Sequence, residues 1–120
     1  MNLIISLGRE HPARVLKTAE MSWPDYVKLL LNAPESNDKA SRGWSCPAKF
    51  IPAYRDSENF QHRYALTFDY DHVSELNLTH IRKTYAAFCH LAYTTWSHTK
   101  DKPRWRYVFP LSRPATYDEF

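Results

Sequence analysis

The sequence predicts an α+β domain in which mostly antiparallel strands pack with two helices. Three observations carry this prediction. Two stretches space their apolar residues at helical intervals, several short runs alternate or cluster as strands do, and one pair of runs flanks a turn as a hairpin does. A chain of 120 residues, 43% hydrophobic and 15% aromatic, has the size of one domain, 1–120, and enough bulky side chains to build a core.

Taken in order, "LIISLG" and "RVLKTA" read as short strands separated by a His11-Pro12 break. "SWPDYVKLLLNAP" reads as a helix, with Ser22 as N-cap, Pro24 in the first turn and Pro34 ending the pattern. Its apolar residues Trp23, Tyr26, Val27, Leu30 and Leu31 follow one helical face, so Trp23 reads as core. Residues 35–61 hold most of the turn formers and read as a long surface segment with one short strand around Ala48 to Tyr54. Lys39, Arg42, Lys49 and Arg55 make that segment basic, and Lys39 and Arg42 are candidates to touch nucleic acid.

The next strand runs from Tyr64 to Asp71, and a second helix follows from about Leu78 to His90. Leu78, Ile81, Tyr85, Phe88 and Ala92 form the expected apolar face of that helix. Runs 91–98 and 104–110 then flank "TKDKP" as a hairpin. On its second strand Arg104, Arg106 and Val108 share one face, and Trp105, Tyr107 and Phe109 share the other, which is expected to be buried.

Charge and cysteine usage narrow the function classes. The net charge of +3 is mild, but Lys100, Lys102, Arg104, Arg106 and Arg113 stand against one acid, Asp101, between His98 and Arg113. Such a patch suits phosphates as partners, although a solvated hairpin would look the same by charge alone. Cys46 and Cys89 are far apart and make no CxxC pair, so idle or buried thiols are expected rather than zinc ligands. No apolar run approaches the length of a membrane span, and the first residues have neither the basic nor the apolar region of a secretory signal. A cytoplasmic protein is expected.

The strand "YALTFDYDHV" carries the chemistry. Tyr64, Leu66, Phe68 and Tyr70 alternate to one face, leaving Ala65, Thr67, Asp69 and Asp71 on the other. Two like charges side by side gain nothing structural, and a cation between them would resolve the repulsion. Adjacent carboxylates suit Mg2+ or Mn2+, completed by water and substrate phosphates. His98, Arg104 and Arg106 on a neighbouring hairpin supply phosphate-binding groups. The D-x-D spacing also occurs in metal-dependent glycosyltransferases and in solvated strand ends. The other histidines, His11, His62, His72, His80 and His90, lack a partner pattern, with His72 beside Asp71 the one of interest.

"YALTFDYDHV" followed by "YTTWSHTKDKPRWRYVFPLSRP" resembles the archaeo-eukaryotic primase superfamily, in the primase-polymerase-like form of phages and plasmids. The D-x-D strand and the serine-histidine pair match its first two motifs, and the similarity runs from about residue 15 to the end. The resemblance implies an RRM-like, mostly antiparallel sheet with two helices, forming part of the primase catalytic core. It implies divalent metal at Asp69 and Asp71, and catalytic roles for Asp69, Asp71 and His98. It also implies nucleotide-phosphate contacts from Ser97 and Arg106, with Arg104 beside them. Nucleotides and a DNA or RNA template would be the partners, in the cytoplasm of a bacterial host, with no membrane involved.

The family's third motif, a further acid on a later strand, would lie beyond "PLSRPATYDEF". Thr116-Tyr117-Asp118-Glu119 is a capping box of the kind that opens a helix, so a form shortened ahead of the third motif is expected. Two functions of different class follow. One is metal-dependent nucleotidyl transfer in phage or plasmid replication. The other is a non-catalytic binding protein derived from a primase, such as a phage inhibitor of a CRISPR-Cas or other defence complex. A metal-dependent nuclease or a replication-initiator fragment is a third reading.

Overall fold

A computed structural model describes residues 2–9, 14–32, 44–51, 55, 58–71, 74–95 and 98–119. Seven strands and two helices follow in the order β1 (Leu3–Gly8), β2 (Lys17–Met21), α1 (Trp23–Leu31), β3 (Trp44–Cys46), β4 (Ala48–Phe50), β5 (Phe60–Asp71), α2 (Glu75–Tyr85), β6 (Leu91–Thr94) and β7 (Arg104–Ala115). A short 3-10 turn, Tyr117–Glu119, follows β7. The expected α+β class is observed, but as two sheets, β2-β1-β3 and β4-β5-β7-β6, where one RRM-like sheet was expected. The chain divides into two compact units, Met1–Ala65 with Leu111–Phe120, and Leu66–Pro110.

In the first unit β1 is the central strand of its sheet and is antiparallel to both neighbours, with Leu3 opposite Met21 and Ser6 opposite Cys46. A central strand has no solvent edge, so Leu3, Ile5 and Ser6 are all buried. Ser6 is tolerated there because its hydroxyl donates to the Ala48 carbonyl at 2.6 Å, which satisfies a polar group that would otherwise carry a desolvation cost. The second expected strand is displaced: its ladder runs over Lys17–Met21 rather than 14–19. Leu16 N–H still bonds the Leu7 carbonyl at 2.8 Å, closing the connection.

Helix α1 begins as the sequence predicts. The Ser22 hydroxyl accepts from Asp25 N–H at 3.3 Å, and Pro24 occupies the first turn, where its missing N–H costs nothing. Tyr26 is its buried residue, while Trp23 is only half-buried and meets the Tyr26 ring edge-on at 6.3 Å. The strand expected around Ala48 to Tyr54 forms as β4, over Ala48–Phe50, with residues 52–54 outside the described ones, and an unexpected strand, β3, precedes it. Strand β4 pairs with β5 through Ala48–Arg63, and a register shift between Lys49 and Phe50 brings Phe50 opposite Phe60. Those two rings meet edge-to-face at 6.2 Å. Half of the expected capping box forms: Thr116 N–H and hydroxyl both donate to Glu119 Oε1, Glu119 N–H bonds the Thr116 carbonyl, and Glu119 also accepts from Arg113 through both oxygens. Arg113 first, then the Thr116 N–H, pull the Glu119 carboxyl down to about 2.

In the second unit α2 forms where a helix was expected but starts and ends earlier, over Glu75–Tyr85 instead of Leu78 to His90. Its start is set by Ser74, whose hydroxyl accepts from Asn77 N–H at 3.2 Å. Its end is set by a tight turn in which Phe88 N–H bonds the Tyr85 carbonyl at 3.0 Å, leaving Phe88 outside the helix and 61% exposed. Ser74→Ala removes this cap and is expected to lower stability by about 1 kcal/mol in a urea melt, without moving the strands. The hairpin forms as β6 and β7, with Leu91 opposite Val108 and Tyr93 opposite Arg106. Strand β6 stops at Thr94 rather than 98, and β7 continues past 110 to Ala115.

Candidate functional site

Alternation along β5 and β7 sorts the side chains of the second unit onto two faces. One face is aromatic and lies under α2. Tyr107 is 1% exposed and touches the rings of Tyr70 (5.7 Å), Tyr85 (5.5 Å) and His90 (5.6 Å, stacked). Phe109 meets Tyr85 at 4.8 Å and Phe68 at 5.8 Å. The Tyr70 and Tyr85 hydroxyls share a hydrogen bond of 2.5 Å. Burial first, then that bond, push the Tyr70 phenol up to about 12, so it stays a neutral partner throughout the physiological range.

Asp69, Asp71, Arg104 and Arg106 sit at the alternate positions and so take the opposite face. There the structure brings two of the expected site residues together. Arg106 Nε donates to Asp69 Oδ1 at 2.6 Å, and Arg106 Nη2 donates to Asp69 Oδ2 at 3.3 Å. Their side chains are 38% and 48% exposed, which makes this a solvated pair of modest strength, on the order of 0.2–1 kcal/mol. The bond to Asp69 raises the Arg106 pKa; burial opposes the rise, and a hydrogen bond to the Tyr93 hydroxyl supports it. Asp71 is exposed and, among the described residues, has no hydrogen-bond or ion-pair partner.

His98 does not lie on a strand. It belongs to the connection between β6 and β7, where its N–H bonds the Thr95 carbonyl at 3.0 Å and its Nδ1 accepts from Arg104 N–H at 3.0 Å. The last rung is Thr95 N–H to the Arg104 carbonyl at 3.1 Å, after which the chain turns, with Lys102 N–H bonding the Thr99 hydroxyl at 3.0 Å. With Nδ1 committed as an acceptor, Nε2 carries the ring proton in the neutral form. The imidazole meets Trp105 edge-on at 6.0 Å, and Arg82 of α2 lies 5.5 Å over the same indole. No hydrogen bond or ion pair among the described residues links His98 to Asp69, Asp71 or Arg106. Ser97, His11, His72, Lys39 and Arg42 lie outside the described residues.

Sequence reasoning missed Tyr93 and Arg82. The hairpin register alone places Tyr93 opposite Arg106, so counting back across the turn would have found it. Arg82 is three residues from Tyr85 on the same helix, and a cation one turn from a core aromatic was a readable signal.

Among the described residues no group of three or more His, Cys, Asp or Glu side chains could hold a metal ion. Both cysteines are free, and burial raises the Cys46 thiol despite Arg63 and Arg55 nearby. The donor set that remains is the carboxylate pair. Its chemistry fits Mg2+ or Mn2+, which are commonly held by one or two carboxylates with water and substrate phosphates, rather than a closed protein cage. No helix among the described residues is long and apolar enough to cross a membrane.

Residues 48–120 match the family model of the VapE N-terminal domain, a domain found in phage and plasmid primase-polymerase-like VapE proteins. That span holds β4 to β7, α2 and the carboxylate pair. No curated protein and no solved structure matches the chain significantly.

Proposed function

Since the chain belongs to the VapE N-terminal domain family, we propose that it binds nucleotide and nucleic acid for metal-dependent nucleotidyl transfer in phage or plasmid replication. The observation that carries the reading is that Asp69 and Asp71 lie exposed on one side of β5 and the Arg106 guanidinium reaches the first of them. Asp69 and Asp71 would hold Mg2+ or Mn2+, which when bound offsets phosphate charge and orients an attacking oxygen. Arg106 would take phosphate oxygens through the same planar fork that now grips Asp69, and Arg104 would add charge from the same face. His98, with Nε2 left over from its turn bond, would approach the nucleotide from the connection between β6 and β7, and Ser97 would add a phosphate contact.

Primer synthesis with Mn2+ and labelled nucleotides, comparing the natural sequence with Asp69→Ala/Asp71→Ala, tests the reading. Incorporation by the natural protein is expected to fall to background in the double variant. If neither protein incorporates label and calorimetry detects neither cation nor nucleotide, the reading is wrong.

One observation favours a second reading, the non-catalytic binding protein. Asp69 already has a cationic partner, and no third acid joins the pair among the described residues. A protein that binds a defence complex without metal would retain its partner after Asp69→Ala/Asp71→Ala, whereas the replication reading requires the double variant to lose its ligand.

A further inference from the structure

We infer that Arg106 decides when the carboxylate pair becomes available to a divalent cation: its guanidinium occupies both oxygens of Asp69 until an anionic phosphate draws it away. The inference rests on the reading of Asp69 and Asp71 as cation ligands. On that reading, a triphosphate that draws Arg106 away would leave Asp69 and Asp71 free to hold the cation.

The geometry supports this directly. Both Asp69 oxygens accept from one guanidinium, at 2.6 and 3.3 Å, so a small hard cation has to compete with it for the same carboxylate. Arginine and the cation are also like charges, so neither can hold Asp69 without repelling the other. Asp71 alone offers a single exposed carboxylate, which holds a strongly hydrated ion poorly. Arg106 has somewhere to go. Its guanidinium matches a phosphate as well as it matches a carboxylate, and a phosphate brings more charge. Its second partner, the Tyr93 hydroxyl, sits opposite it on β6, so that contact can persist while the grip on Asp69 loosens. An exposed pair is also weak enough for a ligand to break. By reciprocity, whatever removes the guanidinium from Asp69 raises cation affinity, and freeing the guanidinium from Asp69 raises phosphate affinity.

Two charge-matched comparisons test this. In the first, Mn2+ is titrated without nucleotide and free Mn2+ is followed by electron paramagnetic resonance. Arg106→Gln is expected to bind Mn2+ about fivefold more tightly than the natural protein. Lys102→Gln removes the same charge from the turn ahead of β7, and a change below about twofold is expected. Equal gains in both variants would mean that only overall charge matters, and would overturn the inference. In the second comparison, dATP is titrated in the presence of a chelator. Asp69→Asn and Asp71→Asn remove the same charge, but only the first releases Arg106, so it should bind dATP about fivefold more tightly than the second. Equal affinities would again overturn the inference. If Mn2+ binds but the paired variants do not differ, the inference alone falls. If no variant binds Mn2+ at all, the cation reading of Asp69 and Asp71 falls and takes the inference with it.

Discussion

Tyr107→Ala is expected to lower the free energy of unfolding by about 3–5 kcal/mol, the range for truncating a large aromatic in a core. Tyr107 is 1% exposed, and its ring touches Tyr70, Tyr85 and His90, so one residue joins β5, α2 and the start of β6. The surrounding rings are held by one another and cannot collapse freely into the gap, which puts the cost toward the upper part of the range. A loss of that size is a large fraction of the 5–15 kcal/mol typical of a whole domain, and the melt should shift visibly. The consequence reaches the functional face. Residues 106 and 107 are neighbours on one strand, and burial of the tyrosine is what aims Arg106 at Asp69. A urea melt that moves by less than about 1 kcal/mol would mean that Tyr107 is not the anchor of this face.

The second large effect is expected at the other end of the chain. Gly8 stands opposite Trp44 in the ladder between β1 and β3. A Cβ added at position 8 would fall well inside the van der Waals envelope of the Trp44 ring, against the indole nitrogen and two of its ring carbons. The ring would have to leave its place over the strand, and with it the stack in which the Arg55 guanidinium lies 4.4 Å above the indole. Gly8→Ala is therefore expected to cost about 1–3 kcal/mol, the range for overpacking, in a thermal or urea melt. The sign is informative, because Gly→Ala in an unobstructed strand would be neutral or stabilising. Trp44→Leu combined with Gly8→Ala should recover part of the loss, since the smaller side chain makes room for the new methyl.

Much of the fold was legible where local physics is strong. Strand β1 was readable to the residue, because "LIISLG" is short, apolar and closed by a glycine. The start of α1 was readable because a serine cap and a proline in the first turn are local devices. The face sorting of Phe68 and Tyr70 against Asp69 and Asp71 was readable because side chains alternate along any strand. The errors have equally physical causes. Helical spacing continues through Phe88, but the helix ends at Tyr85, since the following turn takes its hydrogen bonds and periodicity carries no record of that. The three-residue strand β3 is too short to show a pattern of its own. His98 was expected on a strand and stands in a turn, because its N–H folds back to the Thr95 carbonyl.

Alternation and capping act within a few residues of chain, so the sequence by itself determined which side chains share a face and where several elements start. It placed two carboxylates on one side of β5 and two arginines on one side of β7. Only the tertiary structure decided that β5 and β7 are neighbours and that Arg106 holds Asp69 across 37 residues of sequence. Strand order is settled by the burial of whole faces, Tyr107 against Tyr70 and Tyr85 above all, and such long-range packing leaves no local mark in the order of the residues.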